Sequence, residues 1–149
     1  MPSEFTFGSG DERISVRIET SKASLNENQT YKSRLESTVN LNIGAFSGAF
    51  KAEFAIPDLV LLHEQLISAF ASRSEIVPFK NAEEDLYLAI EVNGPGEAIV
   101  TGTIKPHRLR HASLIFRLNI PQSALARTAQ ELEDVLREFP PHPTSFRSI

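Results

Sequence analysis

Residues 39–72 read VNLNIGAFSGAFKAEFAIPDLVLLHEQLISAFAS, and within this stretch the hydrophobic spacing changes once, from steps of two to steps of three and four. Val39, Leu41 and Ile43 face one way, Gly44 offers a tight turn, and Phe46, Phe50, Ala52, Phe54 and Ile56 resume the apolar side with Lys51 and Glu53 opposite. The pattern predicts a hairpin with one apolar face. Pro57 cannot donate to a strand ladder but suits the first turn of a helix, and Asp58 beside it meets the positive end of the helix dipole. From there Leu59, Leu62, Leu66 and Phe70, with His63 and Ile67 interleaved, form a broad stripe down to about Ser72. Such a stripe must be covered, so the helix is expected to pack on the sheet.

Upstream, Ile14, Val16 and Ile18 alternate with polar neighbours and predict a strand, while the aperiodic polar stretch from Ser21 to Arg34 reads as a long surface loop. Downstream, strands are expected around Ile76 to Phe79, over Leu86 to Val92, from Ala98 to Ile104 and from Leu114 to Ile120, with Asn93-Gly94-Pro95-Gly96 as a dense turn signal. Pro121 then opens a second helix. Its stripe of Leu125, Ala129, Leu132, Leu136 and Phe139 runs to a stop at Pro140, Pro141 and Pro143. Both helices therefore follow a strand that ends in Ile-Pro, which hints at a distant repeat, although proline at the first helical turn is common enough to explain it. Short connections and only two helices argue against a parallel crossover sheet. The expected fold is α+β, a meandering antiparallel sheet of six or seven strands with both amphipathic helices on one face. The core should hold Phe50, Phe54, Leu62, Leu66, Leu88, Ile90, Phe116, Leu118, Leu132 and Leu136.

With 149 residues, 41% hydrophobic and 23% charged, the chain is expected to be one domain over residues 1–149, with 140–149 a proline-rich extended tail. No apolar run approaches the ~20 residues of a membrane-spanning helix, and residues 1–11 lack the pattern of a signal peptide, so the cytoplasm is the expected compartment. The absence of cysteine removes disulfides, thiolate metal sites and thiol nucleophiles together.

No catalytic constellation and no cofactor motif emerges from the remaining chemistry. His107 and His111 are four apart, but Pro106 and the flanking strand patterns place them in a hairpin loop, and no acid lies between Lys105 and Arg117 to complete a metal site. His63 reads as a border histidine of the first helix. Gly8-Ser9-Gly10 lacks the further residues of a nucleotide or nucleophile loop and reads as a turn. Glu83, Glu84 and Asp85 precede a strand, where neighbours point to opposite sides, so a proton-sharing carboxylate pair is not expected. Lys105, Arg108, Arg110 and Arg117 make one basic window, leaving −8 on the rest of a chain whose net charge is −4. That window has no aromatic residue interleaved with its charges except Phe116, assigned to the core, which argues against a nucleic-acid surface. The second helix carries Glu131, Glu133, Asp134 and Glu138 against Arg127 and Arg137, an acidic face able to steer a basic partner.

The run Phe46-Ser47-Gly48-Ala49-Phe50, the helix start before Asp58-Leu59 with Leu66 farther along, the Leu86-Tyr87-Leu88 strand, the turn at Gly94 to Gly96 and the closing amphipathic helix resemble the WapI-like family of small bacterial proteins. The likeness spans about Leu41 to Phe139. It departs after the glycine turn, where this chain has Gly96-Glu97-Ala98 in place of a Gly-His-Ile start. The resemblance implies an immunity-type protein that inhibits a secreted toxin by binding, and no enzyme activity. On the residues themselves, the expected partner surface is the exposed acidic side, Glu83, Glu84, Asp85, Glu131 and Asp134, facing a basic protein domain. The competing reading is an anion-binding or enzymatic site on the basic hairpin of Lys105, His107, Arg108, Arg110 and His111.

Overall fold

In the computed structural model, residues 3–24, 32–72, 74–94, 96–106 and 111–141 are described. Four strands come first, β1 (Glu4–Ser9), β2 (Glu12–Ser24), β3 (Lys32–Ile43) and β4 (Phe46–Ala55), followed by helix α1 (Ile56–Ser72). The same order then recurs as β5 (Ser74–Lys80), β6 (Leu86–Asn93), β7 (Glu97–Ile104), β8 (Leu114–Pro121) and helix α2 (Gln122–Glu138). Each set of four strands is an antiparallel meander with its strands in chain order.

The expected α+β class holds, but the single sheet of six or seven strands is replaced by two four-stranded sheets. A strand count of eight arises because Phe5 and Phe7, both buried, belong to β1, and Gly8-Ser9 end that strand before the turn at Gly10 and Asp11. The sheets are separate because β4 pairs with β3 and β5 with β6, and the 17-residue helix α1 joins these two edge strands. The helices also do not share one face of one sheet: α1 packs against β5, and α2 packs against β1 of the first sheet. Of the expected Ser21–Arg34 loop, Ser21 to Ser24 belong to β2 and Lys32 to Arg34 to β3, and residues 25–31 lie outside the described residues. Of the expected tail, Pro140 and Pro141 follow α2, and residues 142–149 lie outside the described residues.

One hydrophobic cluster joins both sheets and both helices, so the two halves are expected to unfold together. It includes eight of the expected core residues as buried side chains, with Phe50 and Leu136 packed at its margin. Phe54, near the end of β4, stacks on Phe79, near the far end of β5, with ring centroids 6.0 Å apart, which ties the two sheets together. Pro57 is the second residue of α1, whereas Pro121 is the N-cap of α2 with an extended ψ of 150°. The shared Ile-Pro device is thus offset by two residues between the halves.

Candidate functional site

A sheet's outermost strands present unpaired backbone groups, and the first sheet treats its two edges differently. At β1 the backbone N–H of Thr6 donates to Glu131 Oε1 of α2 at 2.9 Å, and the Thr128 hydroxyl of α2 donates to both the Thr6 carbonyl and, at 3.1 Å, the Ala124 carbonyl. Helix α2 therefore closes this edge. Across the sheet Thr6 pairs with Ser15, Ser15 with Asn40, and Asn40 with Ala49. In an antiparallel sheet hydrogen-bonded and non-bonded pairs alternate, so an outward-facing Thr6 makes Ala49 outward-facing at the opposite edge, together with Ser47, Lys51 and Glu53. Independent support comes from the Glu53 carbonyl, which accepts from Asn81 Nδ2 at 3.2 Å. Beyond Glu53, the open edge of β4 runs past Ser47, Ala49 and Lys51, all exposed, with no capping contact like those at Thr6 among the described residues.

A groove of about 970 Å³ lies along this edge. Phe46, Phe50 and Leu41 line it from the first sheet, and Ile104, Pro106 and Ala112 to Leu114 line it from the two sides of the β7–β8 connection. Around this apolar base stand Glu19, Glu36, Glu53, Glu83 and Asp85, with Lys51 as the one cation among the described lining residues. Three of those acids hold neighbours: Glu53 pairs with Arg34 at 3.2 Å, Glu19 accepts from the Thr38 hydroxyl at 3.1 Å, and Glu36 accepts from the Thr20 hydroxyl at 3.2 Å.

The turn between β5 and β6 positions the other two. Asn81 is fully buried, and its Oδ1 accepts the backbone N–H groups of Asp85 and Leu86 at 2.9 and 3.0 Å while its Nδ2 reaches Glu53. This locks Asp85 in place at 2% exposure. Asp85 Oδ2 receives only a long 3.4 Å contact from Asn81, and its Oδ1 is buried with no partner among the described residues. An unsatisfied buried acceptor costs about 1–3 kcal/mol, and more when charged, so Asp85 Oδ1 is a ready acceptor for a donor brought to the groove.

On the other side of the same strip, a polar hollow of about 790 Å³ joins Ser47, Gly48 and Ala49 to Ser15, Asn40, Arg13, Arg127 and Glu131. Burial pushes the Glu131 carboxyl above the usual carboxylate range, opposed by the Thr6 N–H and by Arg127, which favour its charge. Ser47 to Ala49 thus form a ridge with Glu83 and Asp85 on one flank and Glu131 on the other.

The acids expected on one exposed surface are therefore only partly brought together. Asp85 is buried, not exposed, because the Asn81 turn folds it under the chain. Glu131 is half-buried and committed to β1. Glu84 is exposed and lies in neither hollow; its carboxylate accepts from the Tyr87 hydroxyl at 2.7 Å and from Lys80 at 3.3 Å, and these bonds, Tyr87 first, hold its pKa below the usual range. Asp134, also exposed, pairs with Arg137 at 3.2 Å along α2. Of the basic hairpin, Lys105 and His111 are exposed, and His107, Arg108 and Arg110 lie outside the described residues. The open β4 edge was missed because the Phe46 to Phe50 alternation reads the same for an edge strand as for an inner one. A hint was available: this run has no proline and no charge, the devices that usually protect edges.

Among the described residues, no group of three metal-ligating side chains converges, and no helix is long and apolar enough to cross a membrane. No curated protein and no solved structure matches the chain. Residues 5–140 match the family model described as the Immunity protein WapI-like family, so the match covers nearly the whole fold and the chain belongs to that family.

Proposed function

We propose that this protein is an immunity-type binder that neutralises a secreted toxin in the cytoplasm by occupying the toxin's surface, without chemistry of its own. Family membership supplies the class of function, and binding to a protein toxin follows from it. The observation that supports the location is the β4 ridge, where Glu83 and Asp85 on one side and Glu131, 46 or more residues away in sequence, on the other open on the two flanks of one uncovered strip. Carboxylates arranged around an apolar base suit a basic toxin domain: charge speeds the encounter and the apolar contacts slow dissociation. Glu84 and Asp134, both exposed, belong to the outer field that steers the partner.

The test uses a toxin domain recovered with this protein from its host. Co-expression should restore growth, and the purified pair should form a one-to-one complex. Reversing Glu83 and Asp134 to Lys should slow association several-fold with little change in fold, and added salt should lower the wild-type rate toward that of the variant as the Debye length falls from ~8 Å to ~3 Å. A toxin that stays fully active in the presence of excess protein would contradict the immunity reading. An association rate indifferent to both salt and charge reversal would remove the electrostatic part of it.

A further inference from the structure

The four sheet edges differ in how far they are protected against strand addition. Helix α2 covers β1 at Thr6. Strand β5 carries Pro78 at its middle, and β8 has Arg117 at its centre and Pro121 at its end. Proline and charge at such positions discourage a further strand. Of the edges that α2 leaves uncovered, β4 presents the longest run with neither, Phe46 to Phe50, ahead of Lys51. Its side chains are exposed from Phe46 to Ala49, with Phe46 at 67%, and a Cβ added to Gly48 would meet nothing within 4 Å.

We infer that β4 accepts an extended segment of the toxin as a fifth strand, and that Asp85 receives a lysine or arginine of that segment. This rests on the toxin-binding reading above and specifies how the contact is made. The outward N–H and C=O groups of Ser47, Ala49 and Lys51 supply the ladder. Alternation supplies the specificity. Side chains of the added strand on the Phe50 side meet Phe46, Ile104 and Leu114, so they are apolar; the acids that rim the groove call for basic residues along the same segment. Asp85, buried at the groove with an oxygen that lacks a donor among the described residues, provides one deep position where an ammonium or guanidinium group completes the hydrogen bonding. A second copy of this chain is the poorer occupant, because it would bring two sets of these carboxylates together.

A blocked eight-residue peptide alternating valine and lysine serves as the probe, with an alternating valine–glutamate peptide as its control. In backbone amide spectra of the intact protein, the lysine peptide should shift and protect the amides of Ser47, Ala49 and Lys51, and the glutamate peptide should not. Ala49→Pro removes an outward N–H without touching the β3 ladder, and it should weaken peptide binding about tenfold or more at unchanged thermal stability. Asp85→Asn should weaken the lysine peptide several-fold. Perturbation centred on β5, β8 or α2, or none at all, would overturn the inference. So would a wild-type dimer that Ala49→Pro converts to monomer, since the occupant would then be a second copy. Toxin neutralisation that persists in any of these cases would leave the immunity reading standing and remove only the strand-addition mode.

Discussion

The two halves of the molecule share an order of elements and differ in what happens at their edges. The first half has long strands, up to 13 residues in β2, and the tip of its β3–β4 hairpin is exposed on both sides. The second half has strands of seven or eight residues, and β6 and β7 alternate between buried and less buried positions along nearly their whole length. Each helix leaves its own sheet to pack on the first strand of the other: α1 reaches β5, where Ser68 and Ser72 donate to Glu75, and α2 reaches β1. The second half thus completes the first at β1 and leaves β4 open. The lesson is that a nearly repeated plan can hold one unmatched surface, and that surface is where binding is proposed.

The comparison is broken most severely by attacking what the halves share. Leu66 of α1 is fully buried in the common core, so Leu66→Ala should cost about 2–5 kcal/mol and should lower a single denaturant transition. Two separated transitions would show that the halves fold independently. Next in size is Asn81, the side chain that ties the second half's first turn to the Glu53 carbonyl. Asn81→Ala strands several buried partners and should cost about 2–3 kcal/mol, with Asp85 losing its position. Thr128→Val removes the hydroxyl that caps the Thr6 carbonyl at nearly constant shape, and about 1 kcal/mol is expected in urea unfolding.

The smallest effect is one of pH at Glu131. Its carboxyl is held above the usual range in the folded protein, so its charged form weakens the fold at neutral pH, and that penalty disappears as pH falls through the folded pKa toward the unfolded value. Glu131→Gln keeps an acceptor for the Thr6 N–H without the charge. The stability difference between variant and wild type should therefore move in favour of the wild type as pH falls through the carboxylate range. For a group this exposed the change should stay within about 0.5 kcal/mol. Movement in the opposite direction would mean that the Thr6 bond, favouring the charged form, outweighs burial.

Much of this fold was legible in alternation and proline placement. Both helices, seven of the eight strands and most of the core follow from the spacing of apolar residues. What was not legible is relational. Phe5 and Phe7 are too few to announce a strand before two glycines, and no local pattern states that β4 and β5 belong to different sheets, because strand pairing depends on where α1 delivers the chain. The candidate site was missed for the same reason. Glu83, Asp85 and Glu131 were visible as acids, but the burial of Asp85 depends on the Asn81 side chain, and the use of Glu131 as a cap for Thr6 depends on a contact across 125 positions.

The central claim is that the open edge of the first half, and not the acidic face of α2, meets the toxin. Backbone hydrogen exchange of the protein alone and in complex with the toxin domain recovered with it tests this most directly. Strong protection confined to Phe46 through Lys51 and the Glu83 to Asp85 turn, with the exposed face of α2 around Asp134 unchanged, is the predicted result. Protection concentrated on α2 or on β8, with β4 exchanging as fast as in the free protein, would contradict it.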